Sequence, residues 1–205
     1  MNFKTEQEKF WASKFGDEYV ERNREKEYIA SNTVLFSKII SRTINVNSIL
    51  ELGANIGLNM WALKNILPNA KLAAIEINKT AFEYLSKIDD VTAYNESILT
   101  FNVKDKYDLI FTKGVLIHIN PDELDTIYQK MYDYSNKYIL CCEYYNPTPA
   151  SIPYRGHNDK LFKRDFAGEL LEKFKDLKLI DYGFIYRRDN NFKDDDLTWF
   201  LLEKN

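Results

Sequence analysis

Ser48-Ile49-Leu50-Glu51-Leu52-Gly53-Ala54-Asn55-Ile56-Gly57-Leu58-Asn59 is the stretch on which the fold turns. It reads as a short buried strand, a glycine-pivoted turn and the opening of a helix, the layout of a nucleotide-binding turn. Gly53 lets the chain leave the strand sharply, and Gly57 lets the next helix pack close or admits a ligand. Asn55 stands where a dinucleotide fingerprint has its second glycine. Asn tolerates left-handed backbone better than most residues, so the turn survives, but a pyrophosphate finds less room above it.

Outward from that stretch, Leu58 to Leu67 continues as a helix stopped by Pro68, and Lys71 to Ile77 is an apolar run interrupted by Glu76. Glu76 lies 23 residues after Gly53, close to the offset of about 20 at which an acid meets ribose hydroxyls in nucleotide-binding units. A helix from Lys79 to Ile88 leads to a third strand, Val91 to Asn95, whose end at Glu96-Ser97-Ile98 suits an adenine. Lys106 to Thr112 reads as a fourth strand, followed by a loop with Lys113, Gly114 and His118 and by a helix from Pro121 to about Asn136. Tyr138 to Glu143 is a fifth strand. The polar stretch from Tyr144 to Lys163 holds three prolines, Tyr154, Arg155 and His157, and is read as an ordered substrate lid. A helix from Arg164 to Phe174 precedes two strands, Leu177 to Tyr186 and Leu197 to Leu202, with no helix between them. These elements describe an α/β protein: a doubly wound, mostly parallel seven-stranded sheet with an antiparallel C-terminal strand and helices on both faces.

The 205 residues suit one domain, with an N-terminal helical cap over 1–44, a core over 45–143 and a substrate loop, helix and hairpin over 144–205. The cap reads as two helices around Gly16, which either cover a sheet edge or close over a ligand with Tyr19, Arg22 and Asn23. A formal net charge of −3 supplies no basic field for a nucleic-acid backbone. No apolar run reaches the roughly 18 residues of a membrane span, and the opening residues are too polar for a signal peptide, so a cytoplasmic location is expected. The adjacent Cys141 and Cys142 point to opposite faces of a strand, and neither a disulfide nor a metal site is expected.

The set Glu51-x-Gly53-x-Asn55-x-Gly57, Glu76, Glu96-Ser97 and the strand and loop from Asp108 to His118 resembles the Rossmann-like, S-adenosylmethionine-dependent methyltransferases. A closer likeness spans nearly the whole chain: Phe10-Trp11, Phe15-Gly16, Arg22-Asn23, Thr112 to Ile119, Glu143 to Pro149, Pro153 to His157 and Phe162 to Phe166. Together these resemble the methyltransferases associated with pseudaminic acid biosynthesis, which implies a sugar or sugar-nucleotide substrate in bacterial surface glycan assembly. The resemblance implies that Gly53 and Ala54 meet the methionine moiety of the cofactor, that Glu51 orients its ammonium and that Glu76 takes both ribose hydroxyls. Ile77 and Ile98 then flank the adenine beside Glu96 or Ser97, and Lys113, Tyr19 and Arg22 border the cofactor.

Methyl transfer from a sulfonium requires alignment and, for a hydroxyl acceptor, a base. His118 and His157 are the candidates, with Glu143 and Tyr144 behind them. Arg155, Arg164 and Arg187 either fork onto an acidic sugar beside Tyr145 and Tyr154 or pair with surface acids. Asn146-Pro147-Thr148-Pro149 superficially resembles an adenine-methylation signature but follows the fifth strand, not the fourth. A nicotinamide-dependent oxidoreductase and a non-catalytic binding module of the same fold are the alternatives. Asn55 argues against the first, the acids and bases against the second.

Overall fold

The structure, a computed structural model, describes residues 2–23 and 27–205. Its centre is a seven-stranded sheet of order β3-β2-β1-β4-β5-β9-β8. Strands β1 (Ser48–Leu52), β2 (Lys71–Ile75), β3 (Val91–Tyr94), β4 (Tyr107–Lys113) and β5 (Ser135–Glu143) pair in parallel. β9 (Thr198–Lys204) is the antiparallel member, and it lies between β5 and β8 (Leu177–Phe184) instead of at the edge. The expected seven-stranded, mostly parallel sheet is therefore present.

Alternation along each strand builds two apolar layers. Leu50, Leu52, Ile75, Ile110, Ile139 and Cys141 face one side, where Ile127 and Met131 of α6 (Leu124–Tyr134) and Leu170 of α7 (Phe166–Lys173) cover them. Ile49, Ala74, Leu109, Phe111, Leu140 and Cys142 face the other, under Phe36 and Ile39 of α3 (Glu27–Ile40), Met60 and Leu63 of α4 (Leu58–Ile66) and Leu85 of α5 (Lys79–Leu85). A sheet buried on both faces needs near-continuous apolar strands, which is how these segments read.

Three boundaries differ from the sequence expectation. The N-terminal segment forms three helices, α1 (Glu6–Trp11), α2 (Lys14–Arg22) and α3, with Gly16 inside α2 and the break at Ala12-Ser13, where the Ser13 hydroxyl donates back to the carbonyl of Phe10 at 2.8 Å. Pro121 opens a single 3₁₀ turn, Pro121–Glu123, and α6 ends at Tyr134 because β4 draws the chain into β5 from Ser135 onward. The lid contains a small ladder of its own, β6 (Ala150–Ser151) against β7 (Phe162–Lys163).

Candidate functional site

A cavity of about 500 Å³ opens at the carboxyl ends of β1, β2 and β4. That is where the strand order reverses direction, the usual ligand position in such sheets. Its floor is the turn after β1. Gly53 and Ala54 both donate their N–H to the carbonyl of Ile75 at 2.9 Å, which folds the turn back onto β2. Gly53 has φ +81°, and a Cβ there would stand 2.7 Å from a Val115 methyl. Asn55 takes φ +48°, so the tolerance of asparagine for left-handed backbone is used. Gly57, at φ +83°, starts α4 and leaves room for Ile88 and Leu85, so its smallness serves helix packing.

Glu76 faces this turn. Its carboxylate accepts the N–H of Asn55 at 2.6 Å and the N–H of Asn78 at 2.7 Å. Burial pushes its pKa up to about 7, against the pull of those backbone donors. The backbone N–H of Ile77 adds to that pull, and Glu76 lines the cavity. Glu51 lies beneath the turn, fully buried, with Oε1 accepting from Asn59 Nδ2 at 2.5 Å. Burial pushes it up to about 8. Glu51 Oε2, Asn59 Oδ1 and Asn32 Oδ1 are buried acceptors without a partner among the described residues; Asn59 and Asn32 line the cavity, and Glu51 stands behind them, outside the lining.

The far wall comes from the segment after β3. Ser97, Ile98 and Leu99 line the cavity; Glu96 is exposed and outside it. The acid present there is Glu8 of α1. It accepts the Ser97 hydroxyl on Oε1 and the N–H groups of Lys4 and Thr5 on Oε2 at 2.6 and 2.8 Å. Thr5 and Glu8 form a capping box, a signal readable as Thr-x-x-Glu that the sequence reading did not use. Asn78 fixes the neighbouring helix, donating to the carbonyl of Trp11 at 3.2 Å and to Asp17 at 3.0 Å. The N-terminal helices thus sit over the cavity, with Trp11, Tyr19 and Arg22 in its lining.

The mouth is aromatic. The Trp11 ring lies 5.2 Å from Tyr19, 4.5 Å from His118 and 6.3 Å from Tyr154, centre to centre. His118 Nδ1 donates to the carbonyl of Lys160 at 2.6 Å, which leaves Nε2 as the unprotonated nitrogen of the neutral ring. Burial pushes His118 down to about 4. Glu143, in contrast, does not line the cavity. Its carboxylate accepts the N–H groups of Val115 and Leu116 at 3.2 Å and of Ile117 at 3.5 Å, so it holds the turn that carries His118. Burial pushes Glu143 up to about 7.

The loop between β8 and β9 completes the ring, and sequence reasoning passed over it. Asp194 pairs with Lys113 at 2.8 Å, with both side chains nearly buried. Burial opposes the charge on Lys113, yet Asp194 raises its pKa above the ordinary lysine value. Asp195 stands close enough to Tyr144 to disfavour ionisation of its hydroxyl. Burial, with Asp195 and neighbouring phenols behind it, holds the Tyr19 and Tyr144 hydroxyls well above the usual tyrosine range.

Of the other residues singled out from the sequence, Ile77, Tyr154 and Arg155 line the cavity. His157 is exposed in the lid and packs edge-on against Phe10 at 4.9 Å, outside the lining. Tyr145 is exposed beside Phe200, Arg164 pairs with Glu169 at 2.7 Å, and Arg187 pairs with Asp196 at 3.4 Å, all away from the cavity. For Arg164 and Arg187 the pairing with surface acids is what the structure contains.

No family model matches the chain, and no curated protein matches it. Solved structures do. The plantazolicin methyltransferase BpumL, in complex with a monoazolic desmethylPZN analog and SAH, superposes with TM-score 0.66 at 15% identity, over 97% of this chain and 93% of the other. Magnesium protoporphyrin IX methyltransferase from Synechocystis PCC 6803, with bound SAH, gives 0.69 at 10% identity over 97% of both chains. The glycopeptide N-methyltransferase MtfA complexed with S-adenosylmethionine gives 0.63 at 10%, over 84% and 87%. At these identities the likeness establishes the fold: a Rossmann-like methyltransferase fold.

Proposed function

We propose that this chain is an S-adenosylmethionine-dependent methyltransferase acting on a small molecule. The observation that carries the reading is the cavity above the β1 turn, lined by Glu76, whose carboxylate accepts the N–H of Asn55. The donor set fits the cofactor: the buried amide oxygens of Asn59 and Asn32 in the lining suit an ammonium, with Glu51 behind them on Asn59, and Glu76 suits vicinal hydroxyls. The turn backbone at Gly53, Ala54 and Asn55 receives the methionine moiety, while Ile77, Ile98 and Ser97, backed by Glu8, receive the adenine. Lys113, Tyr19 and Arg22 close the chamber. When bound, the cofactor supplies a methyl group already activated on a sulfonium.

The residues of the chain then orient and exclude water. The backbone turn fixes the donor end, Glu143 fixes the Val115–His118 turn, and the aromatic mouth shields the reacting atoms. Tyr144, Tyr154 and Arg155 contact the acceptor, with His118 Nε2 as the neutral lone pair beside it. Glu96, His157, Tyr145, Arg164 and Arg187 have no part in this assignment. Likeness to the pseudaminic acid-associated methyltransferases supports a sugar or sugar-nucleotide acceptor. Among the described residues no helix is long and apolar enough to cross a membrane.

Isothermal titration with S-adenosylhomocysteine tests this. Micromolar binding is the expected result. No binding by folded protein overturns the reading, and enhancement of NADH fluorescence in its place would favour the oxidoreductase.

A further inference from the structure

We propose that the uncovered aromatic face of β8 and β9 is an interface between two copies of this chain, packed about a two-fold axis. Of the twelve large apolar side chains exposed among the described residues, five fall within residues 179–186. Residues directly opposite in an antiparallel pair share a face. Leu179 stands opposite Leu202, Tyr182 opposite Phe200 and Phe184 opposite Thr198, so these project from one side of the sheet. It is the side that α6 and α7 cover, and the cover ends at Leu177 and Leu202, which pack with Leu170. Beyond them Tyr182 is 63% exposed and Phe184 59%.

The opposite side has no such gap. Trp199 is buried there, with Lys38 of α3 over its ring and Gly183 giving it room. On the open side the rings run together. Tyr145 lies 5.8 Å from Phe200, Phe200 is stacked with Tyr182 at 6.2 Å, and Phe184 lies 6.1 Å from Tyr186, centre to centre. A core of tyrosine and phenylalanine is the composition that specific interfaces concentrate at their centre.

Area and charge name the occupant. At roughly 200 Å² per aromatic side chain, the exposed parts of Tyr145, Tyr182, Phe184 and Tyr186 leave about 430 Å² of aromatic surface on one copy. Patches of this size mark interaction sites. A two-fold axis counts the patch twice, which gives about 860 Å² before Leu179, Phe200 and a polar rim are added, close to the roughly 1,000 Å² that a specific interface must clear. A foreign partner would have to bring a matching surface; a second copy brings it by symmetry. Charges of both signs flank the patch and neutralise one another, Arg42 with Asp181 at 2.9 Å and Arg187 with Asp196 at 3.4 Å. Two copies therefore meet there without a block of like charge between them.

Sedimentation velocity and light scattering on the full chain, over a concentration series up to about 100 μM, test the proposal. The wild type is expected to be a dimer at the top of the series. Tyr182→Asp combined with Phe184→Asp should be monomeric throughout, and Tyr182→Ser alone should weaken the dimer at least tenfold with an unchanged far-ultraviolet circular dichroism spectrum. Trp61→Asp, which removes an exposed apolar side chain from α4, should leave the dimer intact. A wild type that stays monomeric at about 100 μM overturns the proposal, as does a dimer that survives the paired aspartates or one that Trp61→Asp dissociates equally. A monomeric wild type that sediments with phosphatidylcholine–phosphatidylglycerol vesicles would give the face to a lipid surface and overturn it as well.

Discussion

The backbone N–H of Asn55 and the carboxylate of Glu76 meet at 2.6 Å, although they stand on different loops at the ends of adjacent strands. The acid we assign to the ribose is thereby tied to the turn we assign to the rest of the cofactor.

Replacing Glu76 should therefore act on binding first. Glu76→Gln keeps the shape but places an amide donor against the N–H of Asn55 or Asn78. We expect S-adenosylhomocysteine affinity to fall by roughly tenfold or more, about 1.4–3 kcal/mol for a compromised charged acceptor. Calorimetry reads this directly, and unchanged affinity would contradict the ribose assignment.

Gly53→Ala should destabilise the fold by about 1–3 kcal/mol, from a left-handed backbone and the 2.7 Å approach to Val115. Adding Val115→Ala relieves the contact but not the φ of +81°, so the double variant should recover only part of the loss. Urea unfolding of both proteins separates the two contributions.

Glu143→Ala strips the acceptor from three consecutive backbone N–H groups and frees the turn that carries His118. We expect the turnover number to fall tenfold or more, with S-adenosylhomocysteine affinity changed by less than threefold. A general base would show itself by a shifted pH profile; a positioning residue lowers the rate at all pH values.

His118 sets a slope on the acid side. The unfolded chain takes up its proton near 6.5, the folded protein only near 4. The folded state thus binds fewer protons in that window, and its stability falls as pH drops from about 6.5 toward 4. His118→Asn should flatten this part of the curve relative to the wild type in thermal melts at stepped pH. A variant curve parallel to the wild type would show that His118 titrates normally.

At the end we assign to the adenine, Ser97→Ala removes the hydroxyl held by Glu8. A several-fold loss of S-adenosylhomocysteine affinity is expected, together with faster proteolysis before α2 as α1 loses its tie. Limited proteolysis with and without S-adenosylhomocysteine reports both effects.

Much of this was legible in the chain because it is local. The β1 turn declares itself through Gly53, Asn55 and Gly57 within five residues, and the βαβ rhythm carries Glu76 to its place. What escaped was made by distance. Glu8 belongs to a capping box on a short helix, and only the fold brings it to Ser97, 89 positions away. Asp194 and Asp195 stand in an acidic run that reads as a solvated loop, because their partners Lys113 and Tyr144 come from other strands. Arg164, Arg187 and His157 lie outside the cavity lining. Residue type nominated them, and the direction of each side chain, which no local pattern encodes, placed them elsewhere.

The position of β9 sets an order in time. Because this antiparallel strand is wedged between β5 and β8, the loop bearing Asp194 and Asp195 is anchored only once residues 198–204 have slotted in. Until they do, the acidic rim of the cavity has no fixed position over its floor.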